Sequence, residues 1–431
     1  MQKPYSIAVE EQLSYSHPNL DIILSDSSVV KGFRFGDSAL TDFLGTKIDD
    51  LVRRAFLDSS SIISLNSYRI IVFSTQYMQD RIMKSHVFIS TLIEILSKDD
   101  VTALLIGRIA TITQTLLLTG LETAFHSCSY IFRLLSFCHH IGASSLFINI
   151  CSNEKSYANA QKWLVNVGFS DFVCQMVFAE IIDFKPDTYD LSEKTIRIAS
   201  YYRIMETAIK NPLLYGSFMI DDIFKALSVA SSFSNFVENA RWAAILSIFS
   251  ASKTKSLLPM AKNGILVFYN DITRLCEYHL SILAFLKEVV QIMPDILNSG
   301  FFRSLLGHVI QFDQSSWFLN SVIDFVEVCI DTPSLLYDVI IVFVPVVYIE
   351  SQSRDKGIAL TSFCYNILEK VSKVTIKSSE LHEFLSFLDG FNSFMHKDLV
   401  EYIKFRDSGY GGESSFSITD MLSKMFVGNK E

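Results

Sequence analysis

The stretch EYHLSILAFLKEVVQIMPDIL, residues 277–297, carries apolar side chains at Ile282, Phe285, Val289, Ile292 and Ile296. Steps of three and four put such residues on one face of a helix, whereas a half-buried strand alternates every second residue. The same spacing recurs at Leu121, Phe125, Cys128, Phe132 and Leu135. It returns at Phe318, Val322, Phe325 and Cys329, and again at Leu360, Cys364, Ile367 and Val371. Only VIIVFVPVVYI, Val339 to Ile349, has the β-branched density of a strand, and its surroundings favour helix there as well.

Composition points the same way. Of 431 residues 49% are apolar and 19% charged, with 35 phenylalanines, which suits a large buried core and not extended disorder. Seventeen glycines and eight prolines are too few for a collagen-like chain or a turn-rich β-sandwich. The net charge is −9 and the Lys and Arg residues are scattered, so no basic stripe marks a nucleic-acid partner. A mean hydropathy of +0.30 raises the question of a membrane. Val339–Ile349 is about half a bilayer span and contains Pro345, and the run from Leu104 to Leu121 contains Arg108 and several threonines. Both read as core, with no membrane span expected. The N-terminus, MQKPYSIAVEEQ, lacks the order of a signal peptide. Seven cysteines, widely spaced and without a CxxC pair, read as free buried thiols in a reducing compartment. A cytoplasmic or nuclear location is expected.

Breaks between helices coincide with start signals. Asn211-Pro212 and Thr332-Pro333 place a capping side chain before a first-turn proline, and Asp190 with Glu193 has capping-box spacing. Eighteen to twenty helices of roughly ten to twenty residues, joined by short connections, are expected from such breaks. Residues 1–405 read as one continuous helical-repeat domain, 406–417 (RDSGYGGESSFS) as a Gly/Ser-rich loop, and 418–431 as a short C-terminal helix and tail. The fold expected is all-α, a degenerate armadillo/HEAT-like α-solenoid of stacked helix pairs, with a globular helical bundle as the alternative. No repeat of fixed period is visible in the sequence.

No P-loop, GxGxxG, HExxH, GxSxG or kinase set occurs, so no catalytic residue, cofactor or metal is assigned and an enzyme is not expected. His139 and His140, between Cys138 and Cys151, invite a metal reading, but adjacent helical residues point about 100° apart and no ligand spacing follows. A helix junction explains the same residues. A helix begun near Leu121 would end at the histidines, Gly142 would take the left-handed cap position, and Ser144 or Ser145 would cap the next helix.

HIGASSLFINI, His140 to Ile150, followed by KWLVNVGFSDFVCQMV from Lys162, resembles the central signature of the SAPS-domain family. Ile141, Gly142, Ser144, Leu146, Trp163 and Leu164 match; the acidic residue and unbroken leucine run after the glycine do not. DFLGTKIDDLVRRAF (42–56), YRIIVFSTQYMQDRIMKS with FISTLIEIL (68–96), ENARWAAILSIF (238–249), KNGIL (262–266) and EYHLSIL (277–283) resemble further family elements in family order. The resemblance implies a helical-repeat regulatory subunit. Its partner would be the catalytic subunit of the type-six serine/threonine protein phosphatase, with a third scaffold subunit as a further candidate. Asn239, Arg241 and His279 align with polar family positions and are the candidate partner contacts. A generic armadillo/HEAT-like adaptor for trafficking or transport complexes is the alternative function.

Overall fold

The computed structural model describes residues 5–57, 60–182, 191–229, 233–353, 357–375 and 379–407. Among them every regular element is an α-helix or a short 3-10 turn, and no strand occurs. The expected all-α class of stacked helices is what the chain forms. Two units divide it, one of Met1–Met260 with Cys276–Phe285, the other of Ala261–Leu275 with Leu286–Glu431.

The first unit has a repeat that the sequence hides. Five helices, α1 (Ile62–Val72), α2 (Ala103–Leu118), α3 (Ile141–Cys151), α4 (Glu193–Ile209) and α5 (Asn235–Ser252), pack each on the next like rungs. Two shorter helices lie between each successive pair. Three pairs of the shorter helices also pack three apart, Ile48–Ala55 on His86–Leu96, Gln76–Lys84 on Glu122–Ser127, and Phe169–Ile181 on Asp221–Leu227. The unit is thus a three-helix repeat, and the spacing of the rungs is near that of armadillo and HEAT repeats, about 40–47 residues. Each rung buries a wide stripe. In α4, Ile198, Tyr201, Tyr202 and Met205 are among ten buried residues. Burying one such side chain contributes roughly 1.5–3 kcal/mol, which is where the stability of a rung resides.

Four buried polar side chains in this unit share one task, closing the C-terminal ends of earlier helices, whose last carbonyls lack intrahelical donors. Asn66 donates through Nδ2 to the Leu24 and Asp26 carbonyls at 2.9 and 3.0 Å. Arg108 donates to those of Ala55 and Leu57 at 2.9 and 3.0 Å. Gln161 donates to Ile150 and Ser152, and Asn211 to Cys151 and Ser152. Asn211-Pro212 therefore forms a tethered turn and does not open a long helix. Polar groups out of water are costly unless hydrogen-bonded, and these capping bonds satisfy both donor and acceptor.

Gly142 departs from the expected left-handed cap. It lies inside α3 with an ordinary helical φ, and an added Cβ would come within 2.8 Å of the Gly107 Cα on α2. Its role is close approach of two rungs. The Leu121–Leu135 stripe is likewise divided between Glu122–Ser127, Ile131–Leu134 and a 3-10 turn at Leu135–Phe137. Ser127 Oγ donates to the Met83 carbonyl and Tyr130 Oη pairs with Thr113 Oγ1, which holds the chain in a turn between the helices. Helix α4 is capped by Ser192, whose Oγ accepts from Thr195 N at 3.4 Å; Asp190 lies outside the described residues.

In the second unit α6 (Ser299–Gln311), α7 (Ser316–Ile330), α8 (Pro333–Gln352) and α9 (Ile358–Thr375) pack on one another. The stripes at 318–329 and 360–371 are buried at every expected position. Phe301, Phe302, Phe325 and Phe343 meet edge to face with ring centroids 5.8–6.3 Å apart, a geometry aromatic pairs prefer. Pro333 occupies the first turn of α8 as expected, but the Thr332 hydroxyl bonds back to the Val328 carbonyl and does not cap. Helix α8 runs well beyond Val339–Ile349. Its segment Pro333–Ser351, 19 residues of mean hydropathy 1.8, is long and apolar enough to cross a membrane by length and composition, and half of it is buried here. The bent pair Lys155–Asn166 and Phe169–Ile181 meets the same test only if counted as a single span. Arg406 and Asp407 end the helix Asp398–Asp407, so the expected loop at 406–417 does not begin there. Its remaining residues and the expected helix at 418–431 lie outside the described residues.

Candidate functional site

His139 and His140 stand at the start of α3, and α4 fastens them. His140 is the residue before the first helical turn, and Ser144 and Ser145 lie within α3, not at its cap. The two imidazoles lie 4.0 Å apart. Arg197 on α4 grips Glu180 through Nε at 2.7 Å and Nη2 at 3.4 Å, and donates from Nη1 to His139 Nδ1 at 3.3 Å. In the neutral tautomer that accepts from Arg197 the proton sits on Nε2, which faces Glu193 Oε2 at 3.6 Å. Burial, and then the neighbouring His140, hold the His139 pKa below the usual imidazole value. The Ser200 hydroxyl and Tyr201 Oη, also from α4, donate to the Cys138 and Leu135 carbonyls. The cluster is a fastener between rungs. Among the described residues no three His, Cys, Asp or Glu side chains are grouped to hold a metal ion.

The three candidate partner contacts all have internal partners. Arg241 is buried, donating from Nε to the Leu227 carbonyl at 2.7 Å, from Nη2 to that of Val229 at 3.0 Å, and from Nη1 to Glu238 at 3.1 Å. It closes the end of helix Asp221–Leu227 as Arg108 closes that of Ile48–Ala55. Burial raises the Glu238 carboxyl pKa, against the lowering effect of the Arg241 charge. His279 is buried, its Nδ1 accepting from Cys276 N at 2.9 Å, and half-buried Asn239 accepts through Oδ1 from Tyr278 N at 2.9 Å. Together they order the start of helix Glu277–Val290. Arg241 and His279 are thus parts of the core, not of a docking face.

Six of the seven cysteines are buried and Cys276 is half-buried. Burial pushes the Cys128 and Cys174 thiols up to about 12, so neither is a ready thiolate nucleophile.

An open basin of about 560 Å³ lies where helices Ile48–Ala55 and Gln76–Lys84 meet the start of His86–Leu96. Lys47, Arg53, Arg81 and Lys84 face it, against the two carboxylates of Asp49 and Asp50. Asp49 accepts from the Ser85 hydroxyl at 2.6 Å. Asp50 lies 3.6 Å from Arg54 and 4.0 Å from Arg53, and Lys84 pairs with Asp80 at 2.6 Å. Sequence reading missed this group because three separate helices contribute to it. Its only local signal is Arg81 and Lys84, three apart at one helix end. No family model matches the chain, and no curated protein matches its sequence.

Proposed function

We propose that the chain is a non-catalytic scaffold for the catalytic subunit of a type-six serine/threonine protein phosphatase, directing its substrate choice or location in the cytoplasm or nucleus. The observation that carries this reading is the placement of the family-like segments along one repeat array, in the first unit. HIGASSLFINI supplies α3, KWLVNVGFSDFVCQMV the two helices after it, and ENARWAAILSIF most of α5. A repeat array presents a broad preordered face, so a partner binds with little ordering cost. Substrate turnover then belongs to the partner, and a third scaffold subunit would use repeats that the catalytic subunit leaves free.

The test is reconstitution. Full-length protein mixed with purified type-six catalytic subunit should elute from gel filtration as one stoichiometric complex, identified by light scattering. Separate elution at micromolar concentrations of both would sink the proposal.

A further inference from the structure

The geometry points to the basin beside Ile48–Ala55 as a docking site for a phosphoryl group carried on a peptide. Four cations converge there against two carboxylates, in a chain whose net charge is −9. The internal pairings use the charges unequally. Arg53 shares Asp50 with Arg54, and Lys84 has Asp80. Among the described residues, Lys47 and Arg81 have no carboxylate within 4 Å, and the Arg81 guanidinium rests near the exposed Tyr77 ring, 5.8 Å from its centroid.

Two uncompensated cations match a phosphoryl dianion better than a single carboxylate. The Arg fork can take two oxygens while Lys acts as a point charge. Half-buried Lys47 sits on the link between Ser38–Thr46 and Ile48–Ala55, and exposed Arg81 on Gln76–Lys84, so two separately held elements converge on one anion. The shape selects the carrier. Among the described residues no aromatic ring lines the basin and Ile48 is its one large apolar residue, so nothing within it would clamp a nucleotide base. The basin is also open and far larger than one tetrahedral oxyanion, which leaves a run for the flanking backbone. This inference is independent of the phosphatase reading, since a scaffold that captures no phosphatase would still hold a phosphopeptide here.

The experiment uses the full chain and a fluorescein-labelled nonapeptide, Gly-Ser-Gly-Ala-phosphoSer-Ala-Gly-Ser-Gly, read by anisotropy in 50 mM salt. Binding should exceed that of the unphosphorylated peptide by at least about tenfold, the worth of one charge-assisted bond, and should weaken as salt screens the site. Lys47→Ala and Arg81→Ala should each lower affinity about tenfold with the circular dichroism spectrum unchanged. Lys98→Ala, on a different surface helix end, should not lower it. Equal binding of both peptides would overturn the proposal, as would full affinity in the Lys47→Ala, Arg81→Ala double variant. Inorganic phosphate that binds as tightly as the phosphopeptide would reduce the basin to an ion site and refute the peptide assignment.

Discussion

Two glycines that meet across adjacent rungs should respond to the same substitution in opposite directions. At Gly142 an added Cβ meets the Gly107 Cα at 2.8 Å, its N at 3.4 Å and the Ala110 Cβ at 3.8 Å. The closest obstacle is backbone, which cannot rotate aside as a side chain does, so α3 must move away from α2. Forcing a methylene into a packed contact costs about 1–3 kcal/mol. The gain from replacing glycine in a helix is about 1 kcal/mol at most, and less in a first turn. Gly142→Ala should therefore be destabilising by roughly 1 kcal/mol, and Gly142→Val by more. At Gly107 an added Cβ meets nothing within 4 Å. Gly107→Ala, in the middle of α2, should stabilise by about 0.5–1 kcal/mol. Urea unfolding followed by circular dichroism at 222 nm distinguishes the two. If Gly142→Ala raised the midpoint as much as Gly107→Ala, the close approach of α3 to α2 would be refuted.

Other outcomes follow from the same geometry. Arg241→Met removes the donors for two carbonyls and strands Glu238, so it should cost about 3–5 kcal/mol; adding Glu238→Gln should restore part of this, and a loss below 1 kcal/mol would refute the capping role. Because the folded pKa of His139 is depressed, its contribution to stability is complete above the unfolded value near 6.5 and falls as pH drops below it, by at most about 1.4 kcal/mol per pH unit. His139→Gln should lose that part of the slope between pH 7.5 and 5.5, and an unchanged slope would show that the ring does not titrate against Arg197. Iodoacetamide on the native protein should label Cys276 ahead of all others by mass spectrometry, with seven sites open in urea. Rapid native labelling at Cys138 or Cys151 would contradict their burial.

The fold class was legible because apolar spacing alone carries it. Phe318, Val322, Phe325 and Cys329 share a face for reasons internal to one helix. Ile292, in the opening stripe, is nearly half exposed because helix Glu277–Val290 stops before it, at a turn leading to Pro294. The three-helix period stayed hidden because rungs close the ends of earlier helices with different side chains, Asn66 in one and Arg108 in another, so geometry recurs without letters recurring. Gly142 was misread for a related reason. A glycine beside two histidines looks like a helix end, and only Gly107, thirty-five residues earlier, reveals the close contact. The signal available for Arg108 and Arg241 was a lone cation inside an apolar run, which marks a buried capping residue as readily as a binding one. The basin left almost no trace, since Lys47 and Arg81 come to line it only after folding.

The capping bonds also impose an order on synthesis. The Leu24 carbonyl waits 42 residues for Asn66, that of Ala55 waits 53 for Arg108, and that of Cys151 waits 60 for Asn211. At about 5–20 residues per second a ribosome delivers Arg108 roughly 3–10 seconds after Ala55. During that interval the nascent helix end must borrow donors from water. Each repeat thus settles one step behind the translating ribosome, and slow codons just upstream of Asn66, Arg108 or Asn211 would lengthen the exposure of an unfinished segment.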